Sequence, residues 1–178
     1  MSITQLFAEY GVFSFEDAQR YVQQLPYGRN ANREDFSLVL SEQKGTCSSK
    51  HALLKLYADE LGLKNVSLIM GIYQMNDINT PRIGDAIKNH GLTYIPEAHC
   101  YLLIDKNRID ITSTRTNFEV LQKYLLEERE IKPLDVAENK IIWHKDYLKK
   151  WIVDTNINFS LDEVWKIREQ CISALTHS

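Results

Sequence analysis

Three short stretches of this chain hold side chains that can perform thiol chemistry together. Gly45-Thr46-Cys47-Ser48-Ser49-Lys50-His51-Ala52-Leu53-Leu54 places a cysteine at the start of a helical pattern. Glu97-Ala98-His99-Cys100-Tyr101-Leu102-Leu103-Ile104-Asp105 places a histidine at the start of an apolar strand, and a hairpin returns through Asp110-Ile111-Thr112. The reactive form of a cysteine is its thiolate, which a helix N-terminus and a neighbouring imidazolium both favour. A carboxylate on the second ring nitrogen fixes the tautomer and orientation of the imidazole. Cys47, His99 and Asp110 therefore read as a catalytic triad for amide cleavage or acyl transfer. In that chemistry His99 deprotonates Cys47, the thiolate attacks an amide carbonyl, and the Cys47 backbone N–H steadies the oxyanion. Water or an amine then resolves the thioester. The expected substrate is a peptide or small amide, and no metal or organic cofactor is required.

Blander readings compete at each position. A cysteine is more often buried core than nucleophile, and it is the placement after Gly-Thr, together with the His99 strand, that favours catalysis. Cys100 alternates to the face opposite His99 and Cys171 falls in the last helix, so both read as core thiols. His51, one helical turn from Cys47, reads as packing or as support for the site. His90, His144 and His177 have no comparable context. A zinc site on Cys47, His51, His99 and Cys100 is disfavoured, because no Cys-x-x-Cys or His-Glu-x-x-His spacing exists. Glycine-rich phosphate loops and Gly-x-Ser-x-Gly elbows are absent. The rival from another class is a non-catalytic binding module that uses the same cleft for recognition.

Composition narrows the class. At 178 residues the chain is long enough for one sizeable core. With 44% hydrophobic and 25% charged residues it reads as an ordinary globular protein. A net charge of −3 gives no electrostatic reason to expect nucleic acid or an anionic membrane as partner. No apolar run approaches the roughly 18 residues of a membrane span. The start, Met1 to Glu9, lacks the basic and apolar regions of a signal peptide. Three cysteines without paired spacing make no disulfide framework, so a reducing cytoplasm is the expected compartment.

The elements that must position the triad can be read from periodicity and punctuation. Ser14, with Asp17 three residues on, opens a helix carrying Phe15, Ala18, Tyr21, Val22 and Leu25, and Pro26 to Asn30 closes it. Asp35 or Ser37 caps a short helix over Leu38 to Leu40. Thr46 is the N-cap of a helix whose stripe is Cys47, His51, Leu54, Ala58 and Leu61, stopped by Gly62. Val66 to Tyr73 and Ala98 to Ile104 read as buried strands. Between them, Asn76 to Pro96 is a polar excursion with a short helix over Ile83 to Asn89. Taking Lys106-Asn107 as a two-residue turn puts Asp110 opposite Leu103, roughly 13 Å along the strand from His99, a gap that a bulge or strong twist would have to close. The remainder reads as mainly helical, with Phe118, Leu121, Leu125 and Leu126 on one face and Trp143, Tyr147 and Trp151 on another. Ser160-Leu161-Asp162-Glu163 caps the last helix, which runs to about Leu175.

Helix, then strands, then helices is an α+β order. Gly45-Thr46-Cys47 with the helix to Leu61, the strand from Leu63 to Tyr73, and His99 to Thr112 resemble the transglutaminase-like superfamily, a branch of the papain-like cysteine enzymes. The resemblance covers about residues 40–115 and rests on motifs alone. It implies a single domain over 1–178, with a Cys-bearing helix packed on an antiparallel sheet and helical additions at both ends. It also implies activities such as peptide hydrolysis, glutamine-directed acyl transfer or deglycosylation. Tyr101 fits the aromatic that family members carry soon after the histidine. Gln43 is similar to the upstream glutamine of papain-like enzymes, and Tyr27 to the upstream aromatic of transglutaminase-like ones, which marks both as oxyanion or substrate candidates.

Overall fold

Capping residues set most element boundaries in the computed structural model of the chain, which describes residues 2–83, 85–115 and 117–176. The helices and strands run α1 (Ile3–Glu9), α2 (Phe15–Gln24), α3 (Leu38–Ser41), α4 (Cys47–Glu60), β1 (Val66–Met75), α5 (Ala86–Asn89), β2 (Ile95–Ile104) and β3 (Asn107–Ile109). There follow α6 (Phe118–Leu121), β4 (Leu125–Ile131), α7 (Glu138–Thr155) and α8 (Leu161–Thr176). The architecture is mixed α+β, and the strands of the described residues form one antiparallel sheet in the order β3-β2-β1-β4. Ser14 accepts the Asp17 N–H at 3.1 Å to open α2, and Ser160 and Glu163 form the box that opens α8. Thr46 and Ser49 exchange side-chain and backbone bonds at 3.0 and 3.3 Å, so α4 begins at Cys47 as its sequence predicts.

Two expectations require correction. The stretch from Phe118 to Leu126 is not one helical face: α6 ends at Leu121, a 3-10 turn covers Gln122–Tyr124, and β4 follows. β4 lies at a sheet edge and exposes Leu126 to Glu130, so its charges replace the apolar alternation that marks a half-buried strand. The second correction is the β2–β3 turn, which is Asp105-Lys106, one residue earlier than expected. Both residues have positive φ, 49° and 68°, as a two-residue hairpin turn of type I′ requires. Asn65 secures the turn, donating from Nδ2 to Asp105 Oδ1 at 2.9 Å and accepting the Asp105 N–H on its carbonyl at 3.2 Å. The register is Leu102 to Ile109, Leu103 to Arg108 and Ile104 to Asn107. Continued by one step it sets Asp110 level with Tyr101, two positions nearer His99 than a Lys106-Asn107 turn gives.

The described residues fall into two compact units, and β1, β2 and β4 contribute residues to both. The first comprises Met1–Met70, His99–Thr116 and Arg129–Glu138. Its centre is α4, which packs against α1, α2, α3 and the turn at Pro133–Val136. Burial on α4 spreads well beyond the expected stripe: Lys50, His51, Ala52, Leu53, Leu54, Tyr57 and Ala58 are all inside, whereas Leu61 is 39% exposed. A helix covered on several sides has no single apolar face to show in its sequence. Phe7 and Phe15 close over Tyr57 at ring separations of 4.6 and 6.3 Å.

The second unit comprises Gly71–Ala98, Asn117–Glu128 and Asn139–Ser178. Its core gathers Tyr73, Met75, Ile87 and Ile95 with Leu148, Trp151, Val164 and Ile167 from α7 and α8. Within it Glu97 is buried and receives two bonds from Arg168, at 2.7 and 2.6 Å. Burial would raise the Glu97 carboxyl, but the Arg168 guanidinium, with His144 and Lys140, brings it below the usual carboxylate range. The Arg168 guanidinium also lies over the Trp165 ring, 5.0 Å from its centroid. Removing one partner of a buried pair strands the other's charge. Arg168→Leu should therefore destabilise the protein by roughly 3–5 kcal/mol in urea unfolding. An unchanged unfolding midpoint would show that Glu97 finds other compensation.

Candidate active site

The three triad candidates all lie in the first unit, and its local structure explains where each one stands. Cys47 is the first residue of α4, at the end where backbone N–H groups have no acceptor within the helix and the dipole is positive. Its side chain is in hydrogen-bonding contact with His99. The approach to the cysteine is fixed by backbone pairing: Gly45 donates to the Pro26 carbonyl at 3.1 Å, and its own carbonyl accepts from Gly28 at 3.2 Å. Gly45 has no room for a side chain, because an added Cβ would stand 2.8 Å from Lys50 Cγ and 3.0 Å from Ser49 Oγ.

His99 stands on β2 with little solvent exposure, its ring stacked near Tyr101 at 6.3 Å. Its Nε2 meets Asp110 Oδ2 at 2.9 Å, which leaves Nδ1 as the ring nitrogen for the thiol. The expected gap between histidine and aspartate is thus closed by the turn position and by Asp110 leaving the strand, since β3 ends at Ile109. Burial alone would lower the His99 imidazolium, but the negative charges of Asp110 and Cys47 outweigh it and raise it to about 10. Burial likewise pushes Asp110 upward, and His99, His51 and Thr112 overcome that and bring it down to about 2. The arrangement sets the His99 ring between Asp110 and Cys47 and favours its charged form.

Two residues of α4 are tied to the segment that carries Asp110. Lys50 has no exposed surface, and its ammonium donates to the Leu25 and Thr112 carbonyls, each at 2.6 Å. Burial lowers it to about 8, against the opposing pull of Asp110 and Cys47. His51, which the sequence reads as packing or as support for the site, bridges the segments that carry Cys47 and Asp110. Its Nδ1 lies 2.7 Å from the Cys47 carbonyl, and its Nε2 accepts the Ile111 N–H at 2.9 Å. Thr112 completes the cradle, donating to Asp110 Oδ1 from its backbone at 2.8 Å and from its hydroxyl at 2.5 Å. The only local hint of these roles is the i to i+4 spacing of Cys47 and His51, because the other partners come from distant segments.

The oxyanion candidates stand differently. Gln43 is exposed, with its side-chain amide bonded to the Tyr21 hydroxyl at 3.0 Å and the Leu40 carbonyl at 2.5 Å. Tyr27 pairs with Gly45 in a parallel bridge, which brings its segment alongside the turn into Cys47. Cys100 is fully buried, yet its sulfur lies 3.7 Å from the Ser48 hydroxyl, which is itself 3.9 Å from Cys47 Sγ. His144 is buried in the second unit and donates to the Pro96 carbonyl at 2.8 Å, while His177 lies outside the described residues.

Among the described residues no group of three or more His, Cys, Asp or Glu side chains is arranged to hold a metal ion. Nor is any described helix long and apolar enough to cross a membrane. No protein-family model matches this chain, and no curated protein or solved structure matches it either.

The charge states make stability depend on pH in a defined direction. His99 has a folded pKa above its ordinary value of 6.5, so its contribution is complete below about pH 6.5 and is lost as pH rises towards 10. Asp110, lowered from 3.8, contributes fully above about pH 4 and loses its share as pH falls towards 2. Urea unfolding should therefore show wild-type stability declining from pH 6.5 to pH 9 more steeply than that of Asp110→Asn. Parallel pH profiles would mean that no such pair forms.

Proposed function

We propose that this protein is a thiol-dependent amide hydrolase or acyl transferase of the transglutaminase-like kind, acting through Cys47, His99 and Asp110 with a thioester intermediate. The observation that carries the reading is the continuous chain from the Cys47 thiol at a helix start, through the His99 ring, to Asp110 at 2.9 Å. The Cys47 thiolate attacks the amide carbonyl carbon and a C–S bond forms. The oxyanion develops beside the first-turn N–H groups and the positive end of α4. As the tetrahedral intermediate collapses the C–N bond breaks, and the imidazolium of His99 gives its proton to the departing amine. A water or an amine then attacks the thioester while His99 takes up its proton, and the returning thiolate completes the cycle. Asp110 holds the ring in place and balances its charge throughout.

The substrate in this reading is a peptide or small amide, and the chemistry needs no cofactor. Nucleic acid and membranes are not partners in it. The three cysteines form no disulfide, which fits a reducing compartment such as the cytoplasm.

An activated acyl ester offered to the full chain should leave an acyl group on Cys47, detectable by mass spectrometry and discharged by water or an added amine. Cys100 and Cys171 should stay unmodified, since Cys100 is fully buried and burial pushes the Cys171 thiol up to about 11. Cys47→Ala should show no adduct, and His99→Ala should acylate at least about 100-fold more slowly. Equal labelling of all three thiols, or none at Cys47, would favour a binding module over an enzyme.

A further inference from the structure

We propose that His51 is a positioning residue of the Cys47–His99–Asp110 site, a strut that ties the Cys47 carbonyl to the Ile111 amide and so holds the Asp110 carboxylate on His99. The inference rests on the thiol reading of that site. His51 has no exposed surface, and both of its ring nitrogens are engaged. A backbone N–H can only donate, so the bond from Ile111 requires an unprotonated Nε2. The single ring proton must then sit on Nδ1 and be given to the Cys47 carbonyl. One neutral imidazole thus joins the peptide of the nucleophile to the peptide that follows the carboxylate.

This tautomer decides which histidine Asp110 serves. His51 Nε2 lies 3.6 Å from Asp110 Oδ1, near enough to compete with His99 if it carried a proton. The Ile111 N–H occupies that lone pair and keeps the proton away, so the carboxylate is left to pair with His99 through Oδ2. The groups facing His51 are Asp110 from the segment after β3, His99 from β2 at a ring separation of 6.5 Å, and Cys47 on its own helix. Burial and His99 disfavour charge on His51, whereas Asp110 and the Cys47 carbonyl favour it, and the balance lowers its pKa. Lys50, beside it on α4, grips the Thr112 carbonyl and so fixes the far side of the same segment. A leucine would fill similar space but could make neither bond. The polar strut, and the geometry it imposes on Asp110, explains a histidine here better than packing does.

The test is nuclear magnetic resonance of the full chain carrying isotope-labelled histidine, combined with Cys47 alkylation rates. In the wild type His51 should be neutral with its proton on Nδ1 at neutral pH, while His99 is doubly protonated there. In His51→Leu, His99 should lose its proton at least about one pH unit lower, and Cys47 alkylation at neutral pH should slow about tenfold. His51→Gln, whose amide offers one donor and one acceptor, should recover most of both. A folded His51→Leu with an unchanged His99 titration overturns the proposal, as does a wild-type His51 that is charged or protonated on Nε2. If His51→Leu fails to fold, the wild-type tautomer and the Gln variant still decide the matter. A wild-type His99 that is neutral at neutral pH would instead overturn the triad reading itself.

Discussion

The Asp110 side chain is withdrawn from solvent altogether, and that burial dictates what surrounds it. An ionised carboxylate in such a place is tolerable only if its oxygens are filled by donors and its charge is matched. Oδ1 takes two bonds from Thr112, and Oδ2 faces the cationic His99. The cost of desolvating Asp110 is thereby tied to a fixed direction for the His99 ring, which also interacts with Cys47. Without the buried carboxylate, the charged form of His99 would lose the largest of the interactions that favour it.

Helix α4 is the element through which these requirements are met together. Its first residue is Cys47, and one turn later Lys50 and His51 reach the segment that carries Asp110. Cys47 and the segment that carries Asp110 are therefore both referenced to one helix, as the proposed chemistry would require. Only His99 comes from the sheet, on a strand buried over most of its length. Gly45 belongs to the same design, because the buried Lys50 side chain fills the space where a Cβ would go.

Local signals were legible in the sequence, and long-range ones were not. Thr46 as the cap that starts α4 at Cys47 depends on three residues and is realised as read. The apolar run through His99 and the cap of α8 are equally local. The α+β order followed from these. The β2–β3 turn was misplaced by one residue because a lysine at positive φ carries no sequence mark. That single step changed the separation of His99 and Asp110 from implausible to a hydrogen bond. The sequence carries no clear mark of α1, and β4 reads as helix because a charged edge strand has no alternation to detect. The bonds of Lys50 and His51 to Leu25, Ile111 and Thr112 reach far along the chain, so beyond the i to i+4 spacing of Cys47 and His51 their own neighbourhood does not announce them.

In the proposed chemistry Cys47 and His99 act as one charged pair held by Asp110. The most direct test of that pairing is the pH dependence of Cys47 alkylation in the wild type and in His99→Ala. The wild-type rate should be nearly flat from about pH 6 to about pH 9, because a paired thiolate would already be formed. In the variant the rate should climb about tenfold per pH unit over the lower part of that range, as for an unassisted thiol. Identical profiles in the two proteins would contradict the account, leaving Cys47 a buried cysteine that happens to lie beside a histidine.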